Sequence, residues 1–206
     1  MDDVIRRDHW DDRYRTVGPT HVSWYESEPR LSLAMLELGG LDHDRSVIDV
    51  GGGASSLSTR LVARGHRDVT VVDVSAEALR IARASIVDPD AVTFIETDIT
   101  EWSPTRTWDL WHDRAVFHFL TEGAQREHYR ASLRRGLAPG GSMCLATFAE
   151  DGPERCSGLE VRRYRPEELL AELGDGLSEV ASGRYLHITP DGGVQPFSWV
   201  VAQRRR

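Results

Sequence analysis

Three consecutive glycines, Gly51-Gly52-Gly53, follow the apolar run Val47-Ile48-Asp49-Val50 and precede the small polar residues Ser55 and Ser56. A strand that enters a glycine turn and then a helix aims backbone N–H groups and a helix N-terminus at one edge of a sheet. Such an edge suits the polar groups of a nucleotide cofactor. Asp73 lies 22 residues after Gly51, at the end of a second apolar run, where a carboxylate can accept both hydroxyls of a ribose. Asp98 ends a third run, and a carboxylate there can accept from an adenine amino group while Ile99 covers the ring. These acids also have a plainer use, because Asp73 or Ser75 can cap a helix that begins near Ala76.

Glycines plus an acid fit either a nicotinamide or flavin dinucleotide or S-adenosylmethionine. Three features favour the second, the first being Asp98 with Ile99 placed for an adenine ring. A dinucleotide fingerprint wants a third glycine where Ser56 stands. The chain also offers no second domain to hold a hydride acceptor, since its 206 residues fit one domain with at most a small lid.

All 25 basic residues are arginine; lysine and asparagine do not occur. The bias fits a GC-rich coding sequence. It also removes Schiff-base lysines, phosphate-loop lysines and the Tyr-x-x-x-Lys dehydrogenase pair. A net charge of −8 argues against a nucleic-acid partner. No apolar run suits a membrane span, and the charged N-terminus lacks a signal-peptide core, so a cytoplasmic location is expected. Cys144 and Cys156 form neither a disulfide framework nor a metal-ligand cluster.

The elements that must position these groups are read from periodicity and punctuation. Helices are predicted over 2–16, 28–39, 55–64, 76–87, 121–137 and from Pro166 to about Leu173. Strands are predicted over 46–50, 68–74, 91–98, 108–114, 142–149, 183–190 and 197–205, with an irregular loop at 150–165. Strands alternating with helices imply a parallel sheet covered on both faces, and the short turn between the last two makes them antiparallel. The expected fold is therefore α/β: a doubly wound, mostly parallel seven-stranded sheet with a C-terminal antiparallel hairpin. The expected single domain spans 1–206, with a helical lid (1–40), a cofactor-binding core (46–149) and a substrate-side loop, helix and hairpin (150–206).

In this order the segments VIDVGGGASSL, VTVVDVSAEAL, FIETDIT, WDLWHDRAVFHFL and LAPGGSMCLATF resemble the class I S-adenosylmethionine-dependent methyltransferases and their Rossmann-like fold over roughly 46–149. Trp10-Asp11-Asp12-Arg13-Tyr14, Gly51 to Ser58, and Asp113 to His118 resemble a small branch that includes protein lysine methyltransferases. Thiopurine methyltransferase also carries an N-terminal tryptophan helix. The resemblance implies S-adenosylmethionine as cofactor. It places Asp49, Gly51 and Gly53 at the methionine end, Asp73 at the ribose, and Asp98 and Ile99 at the adenine, with Gly52 and Val74 also among the cofactor-binding residues. His112, Asp113 and Arg114 would lie along the methionine and face the acceptor. Two positions depart from the pattern: Ala54 replaces a frequent asparagine, and Ser55 a frequent third glycine.

For catalysis the candidates are His118, as a base that titrates near neutrality, with Asp113 and Arg114; His118 can equally be a packed residue between Phe117 and Phe119. Trp10 and Trp24 are candidates to cover cofactor or substrate. His187 reads as a strand residue with a structural hydrogen bond. The expected acceptor is a small molecule, with a protein lysine as the alternative. A non-catalytic nucleotide-binding module and an NAD-dependent reductase are further alternatives. Oligomeric state is not legible.

Overall fold

The structure, a computed structural model, describes residues 3–206, with side chains described from Arg6 onward. The start of the helix predicted over 2–16 therefore lies outside the described residues. In chain order the elements are α1 (Asp3–Val17), α2 (Arg30–Leu38), β1 (Val47–Val50), α3 (Leu57–Ala63), β2 (Val69–Asp73), α4 (Ala76–Ser85), β3 (Val92–Glu96) and β4 (Trp108–Arg114). They continue with α5 (Gly123–Gly136), β5 (Leu137–Phe148), β6 (Arg155–Cys156), β7 (Leu159–Glu160), α6 (Pro166–Leu173), β8 (Leu177–Ile188) and β9 (Val194–Arg204).

Seven strands form one sheet in the order β3-β2-β1-β4-β5-β9-β8. The first five are parallel, and β9 inserts antiparallel between β5 and β8. The strand order reverses between β1 and β4. That reversal opens a crevice at the carboxyl ends of the strands, where ligands of doubly wound sheets bind. Register brings Val50 beside Asp113 and Asp73 beside Glu96, so Gly51, Asp73 and Arg114 share that edge.

Each parallel strand is covered on both faces, hence the continuous apolar runs. One layer packs Val47, Val71 and Leu110 against Leu36 of α2, Leu61 of α3 and Leu79 of α4. The other packs Ile48, Val72 and Trp111 against Tyr129 and Leu133 of α5 and Leu169 of α6. The helix α4 is capped as its sequence suggests, with Ser75 Oγ accepting from Ala78 N at 3.0 Å.

Several elements differ from the sequence reading; β9, for one, starts at Val194 rather than at 197. The strand β5 begins at Leu137 rather than at 142, because Leu137 pairs with Trp108 and a register shift before Leu110 absorbs the Pro139-Gly140-Gly141 stretch. The loop at 150–165 contains the short hairpin β6–β7. The strand β8 starts at Leu177 rather than 183; its first half is polar and mostly exposed, so no apolar run marks it. No described helix is long and apolar enough to cross a membrane. Both cysteines are unbridged and buried.

Candidate active site

An open cleft lies at the carboxyl edge of the sheet, where doubly wound folds bind their ligands. Its floor begins with Val50 and Gly51 at the end of β1, and Val72, Asp73 and Val74 at the end of β2. Thr97, Asp98 and Ile99 follow β3, and Arg114, Ala115 and Val116 follow β4. The strand ends thus bring together groups that lie far apart in the chain.

The glycine turn is required sterically. Gly51 adopts φ +66°, and a Cβ there would stand 1.9 Å from a Val116 methyl carbon. At Gly53 (φ +31°) a Cβ would meet Asp73 Oδ2 at 2.6 Å and the Tyr14 hydroxyl at 3.3 Å. Backbone and carboxylate therefore approach closely, as a cofactor cradle needs.

The Asp73 carboxylate accepts from Ser75 N at 2.8 Å through Oδ1. Burial pushes its carboxyl up to about 7, and the nearby carboxylates of Asp49 and Asp11 add to the rise. Asp98 is more heavily engaged. Its Oδ1 accepts from Thr100 N at 2.8 Å and Thr100 Oγ1 at 2.7 Å, and its Oδ2 accepts from Arg6. Arg6 was not singled out from sequence. The signal was present: Arg6, Trp10 and Tyr14 recur every four residues on α1, and all three line the cleft. Asp11, also on α1, accepts from Ser75 Oγ at 2.6 Å and Glu77 N at 3.1 Å, which docks the helix onto the start of α4.

Trp10 and Trp24 both line the cleft. Trp10 meets Trp24 edge-on at 5.7 Å between ring centroids and Phe119 at 5.2 Å. Phe148, Cys156 and Phe197 extend this aromatic wall. Burial pushes the Cys156 thiol up to about 11, which leaves no resting thiolate. Arg114 lines the same end and donates from Nη2 to the Trp24 carbonyl at 2.7 Å. Its Nη1 stands 3.6 Å from Glu26. The Glu26 carboxylate also meets His187 Nδ1 at 3.0 Å, while His187 Nε2 meets the Ser23 carbonyl at 2.7 Å. Both ring nitrogens of His187 thus face acceptors, and Arg114, Glu26 and His187 tie the segment 23–26 to β4 and β8. Burial would raise the Glu26 carboxyl, but the His187 bond and the Arg114 charge hold it below its ordinary value.

Several expected site residues stand off the cleft wall. His112 and Asp49 pair at 2.7 Å beneath the glycine turn, both buried, and Asp49 Oδ2 is 2.4 Å from where a Cβ on Gly52 would stand. Asp49 Oδ2 and His112 Nε2 have no hydrogen-bond partner among the described residues. Gly52 packs over Asp49, and Gly53 lies against Asp73 and Tyr14 of the cleft wall. Asp113, expected to be catalytic, is corrected by its surroundings. It is fully buried on the opposite face and accepts from Val116 N at 2.9 Å, Phe117 N at 3.3 Å and the Tyr129 hydroxyl at 2.7 Å. Burial raises its carboxyl to about 6. Those bonds fix the turn in which Ala115 takes the left-handed φ of 72°, and Asp113 itself is not among the described cleft-lining residues.

The expectation that His118 is a base is corrected in the same way. It is fully buried beside Phe119 and Phe148 and does not line the cleft. Burial holds its imidazole down to about 3, too weakly basic to take a substrate proton. A group with a depressed folded value contributes stability above its ordinary value of 6.5, and that contribution is lost as pH falls. His118→Phe is therefore expected to lose about 2 kcal/mol less stability than the native chain between pH 6.5 and pH 5. Urea unfolding at the two pH values checks this.

The methyltransferase domain family matches residues 47–141. Nodulation protein S of Rhizobium tropici is 26% identical over 131 residues, covering 62% of this chain and 55% of that protein. Trans-aconitate 2-methyltransferase of Yersinia pestis (strain Pestoides F) is 29% identical over 143 residues, 68% of this chain and 54% of that protein. The chain thus spans about half the length of these curated relatives. Among solved structures, a SAM-dependent methyltransferase from Anabaena variabilis superposes with a TM-score of 0.78 at 17% identity, covering 98% of this chain and 95% of that one. The Burkholderia thailandensis 1,6-didemethyltoxoflavin-N1-methyltransferase, solved with 1,6-didemethyltoxoflavin and S-adenosylhomocysteine, superposes at 0.70 with 21% identity, covering 98% and 85%. The match over residues 47–141 and the fold shared with these solved methyltransferases agree with the sheet order and the glycine turn of this chain.

Proposed function

We propose that this chain transfers the methyl group of S-adenosylmethionine to a small-molecule acceptor. The carrying observation is one continuous cleft in which the Gly51 turn and Asp73 adjoin an aromatic compartment walled by Trp10, Trp24 and Phe119. The bare turn and the buried acid fit an adenosyl group at one end, and the aromatic walls fit an apolar acceptor at the other. When bound, the cofactor supplies an electrophilic methyl group on a sulfonium sulfur. The work left to the protein is to hold, orient and dehydrate the acceptor. Asp73 would hold the ribose hydroxyls, Ile99 and Val74 the adenine faces, and Asp98 its amino edge once Arg6 yields. Asp49 and His112, with atoms still lacking partners beneath the turn, would serve the methionine end. Arg114 and the two tryptophans would orient the acceptor.

The named relatives support a small acceptor: one is a trans-aconitate methyltransferase, and another was solved with 1,6-didemethyltoxoflavin. A protein lysine finds less support, because Glu26 is engaged by His187 and faces Arg114, and Asp113 by three donors. The test is transfer of labelled methyl from S-adenosylmethionine into a cell lysate fractionated by size. Label in the small-molecule fraction is expected. Label in protein alone would favour the lysine reading, and label in neither fraction a non-catalytic module.

A further inference from the structure

The acceptor compartment is apolar and carries one sign of charge. Trp10, Trp24, Phe119, Phe148 and Phe197 form its walls, and Arg114 is the ionised group among them. The carboxylates nearby face other groups. Glu26 sits behind Arg114, with Oε1 on His187. Asp113 points to the opposite face and accepts from Val116, Phe117 and Tyr129. Asp73 and Asp98 belong to the adenosyl end, where Asp98 already holds Arg6 and Thr100. An ammonium entering this compartment would meet a guanidinium, with no carboxylate available among the described wall residues. Arg114 carries five N–H groups, and its contacts to the Trp24 carbonyl and Glu26 engage two of its nitrogens, so it retains donors for an anion.

Apart from Asp73 and Asp98, which the adenosyl end would take up, the described wall residues offer no base. The titratable side chains among the described cleft residues are Arg6, Tyr14, Asp73, Asp98, Arg114 and Cys156. Burial pushes the Tyr14 phenol and the Cys156 thiol upward, so both stay protonated and accept no proton at neutral pH. His118 is sealed behind Phe119 and Phe148. With Asp73 and Asp98 given to the adenosyl end, an acceptor that must shed a proton before attack meets no other described wall group to take it.

We propose that the acceptor is a planar aromatic anion whose nucleophilic oxygen is already ionised at neutral pH, with its ring against the aromatic wall of Trp10, Trp24 and Phe119 and its charge on Arg114. This deepens the methyl-transfer reading and rests on it. Transfer to such an oxygen forms a methyl–oxygen bond from an acceptor lone pair. The methyl–sulfur bond breaks with its electron pair on sulfur, the two charges cancel, and no proton moves.

Three probes of one shape and different charge test the proposal: 2-naphthoate, 2-naphthamide and 2-naphthylmethylammonium. Their binding to the whole chain is read by quenching of tryptophan fluorescence, with and without S-adenosylhomocysteine. Naphthoate is expected to bind about tenfold more tightly than the ammonium, with the amide between them, and added salt should compress the series. Arg114→Met should abolish the preference for the anion. If that variant does not fold, the series in the native chain decides alone. Equal binding of the three, tighter binding of the ammonium, or no binding of naphthoate at millimolar concentration overturns the proposal. Calorimetry with S-adenosylhomocysteine is run separately. Binding of that cofactor with the charge order reversed removes the anionic acceptor and leaves methyl transfer standing. Failure to bind it removes the methyl-transfer reading itself.

Discussion

Asp73→Ala is expected to weaken S-adenosylhomocysteine binding by about 100-fold at pH 8, measured by calorimetry. Two hydroxyls on one carboxylate are charge-assisted hydrogen bonds of about 1.5–3 kcal/mol each. Losing both, with water restoring part of the energy, leaves roughly 2.7 kcal/mol. The pH dependence sharpens the prediction. Burial holds the Asp73 carboxyl up to about 7, and the diol prefers the ionised acceptor. Affinity should therefore rise with pH to about 7 and level off above it. Binding near pH 6.5 should release a proton, seen as a buffer-dependent heat. Asp73→Asn should remove both the proton release and the pH dependence.

The same group has an opposite effect on stability. Its folded value is raised, so its contribution is present below the ordinary carboxylate range and lost as pH rises through about 7. Asp73→Asn, which keeps an acceptor for Ser75 N, is expected to make the unliganded protein more stable at pH 8 while weakening cofactor binding. A gain in stability coupled to a loss of affinity is the mark of a strained binding group. A purely structural carboxylate would lose both together.

Gly51→Ala is expected to lower the melting temperature by about 5–10 °C and cofactor affinity more than tenfold. The left-handed φ of +66° costs an alanine roughly 1–2 kcal/mol. The larger effect is the 1.9 Å approach to Val116, which must move, and Val116 is itself part of the cleft wall. Val116→Ala should restore part of the loss in the double variant, by more than the sum of the single effects. Strict additivity would show that the turn does not press on Val116.

The sequence displayed the cofactor edge well because its signals are local. Apolar runs mark β1 and β2, the glycines mark the turn, and Asp73 and Asp98 follow their strands directly. The groups it concealed act across long separations. Arg6 reaches Asp98 across 92 positions, and Glu26 reaches His187 across 161. No periodicity reports such pairs; only the fold brings them together. His118 and Asp113 were ambiguous for another reason. A polar residue flanked by phenylalanines, or ending a strand, can face either a cleft or a core. The side is set by the 3-10 turn at Phe117–Phe119 and the left-handed Ala115, neither of which has a sequence signature. The early part of β8 escaped because an edge strand facing water carries polar residues.

The most direct test of the central claim is a crystal structure of the chain with S-adenosylhomocysteine. The account predicts the ribose hydroxyls within hydrogen-bonding distance of Asp73, the cofactor backbone against the Gly51 turn, and Arg6 displaced from Asp98 or turned toward the adenine. An adenosyl group bound elsewhere, or an empty cleft with Arg6 still on Asp98 at saturating ligand, would contradict it.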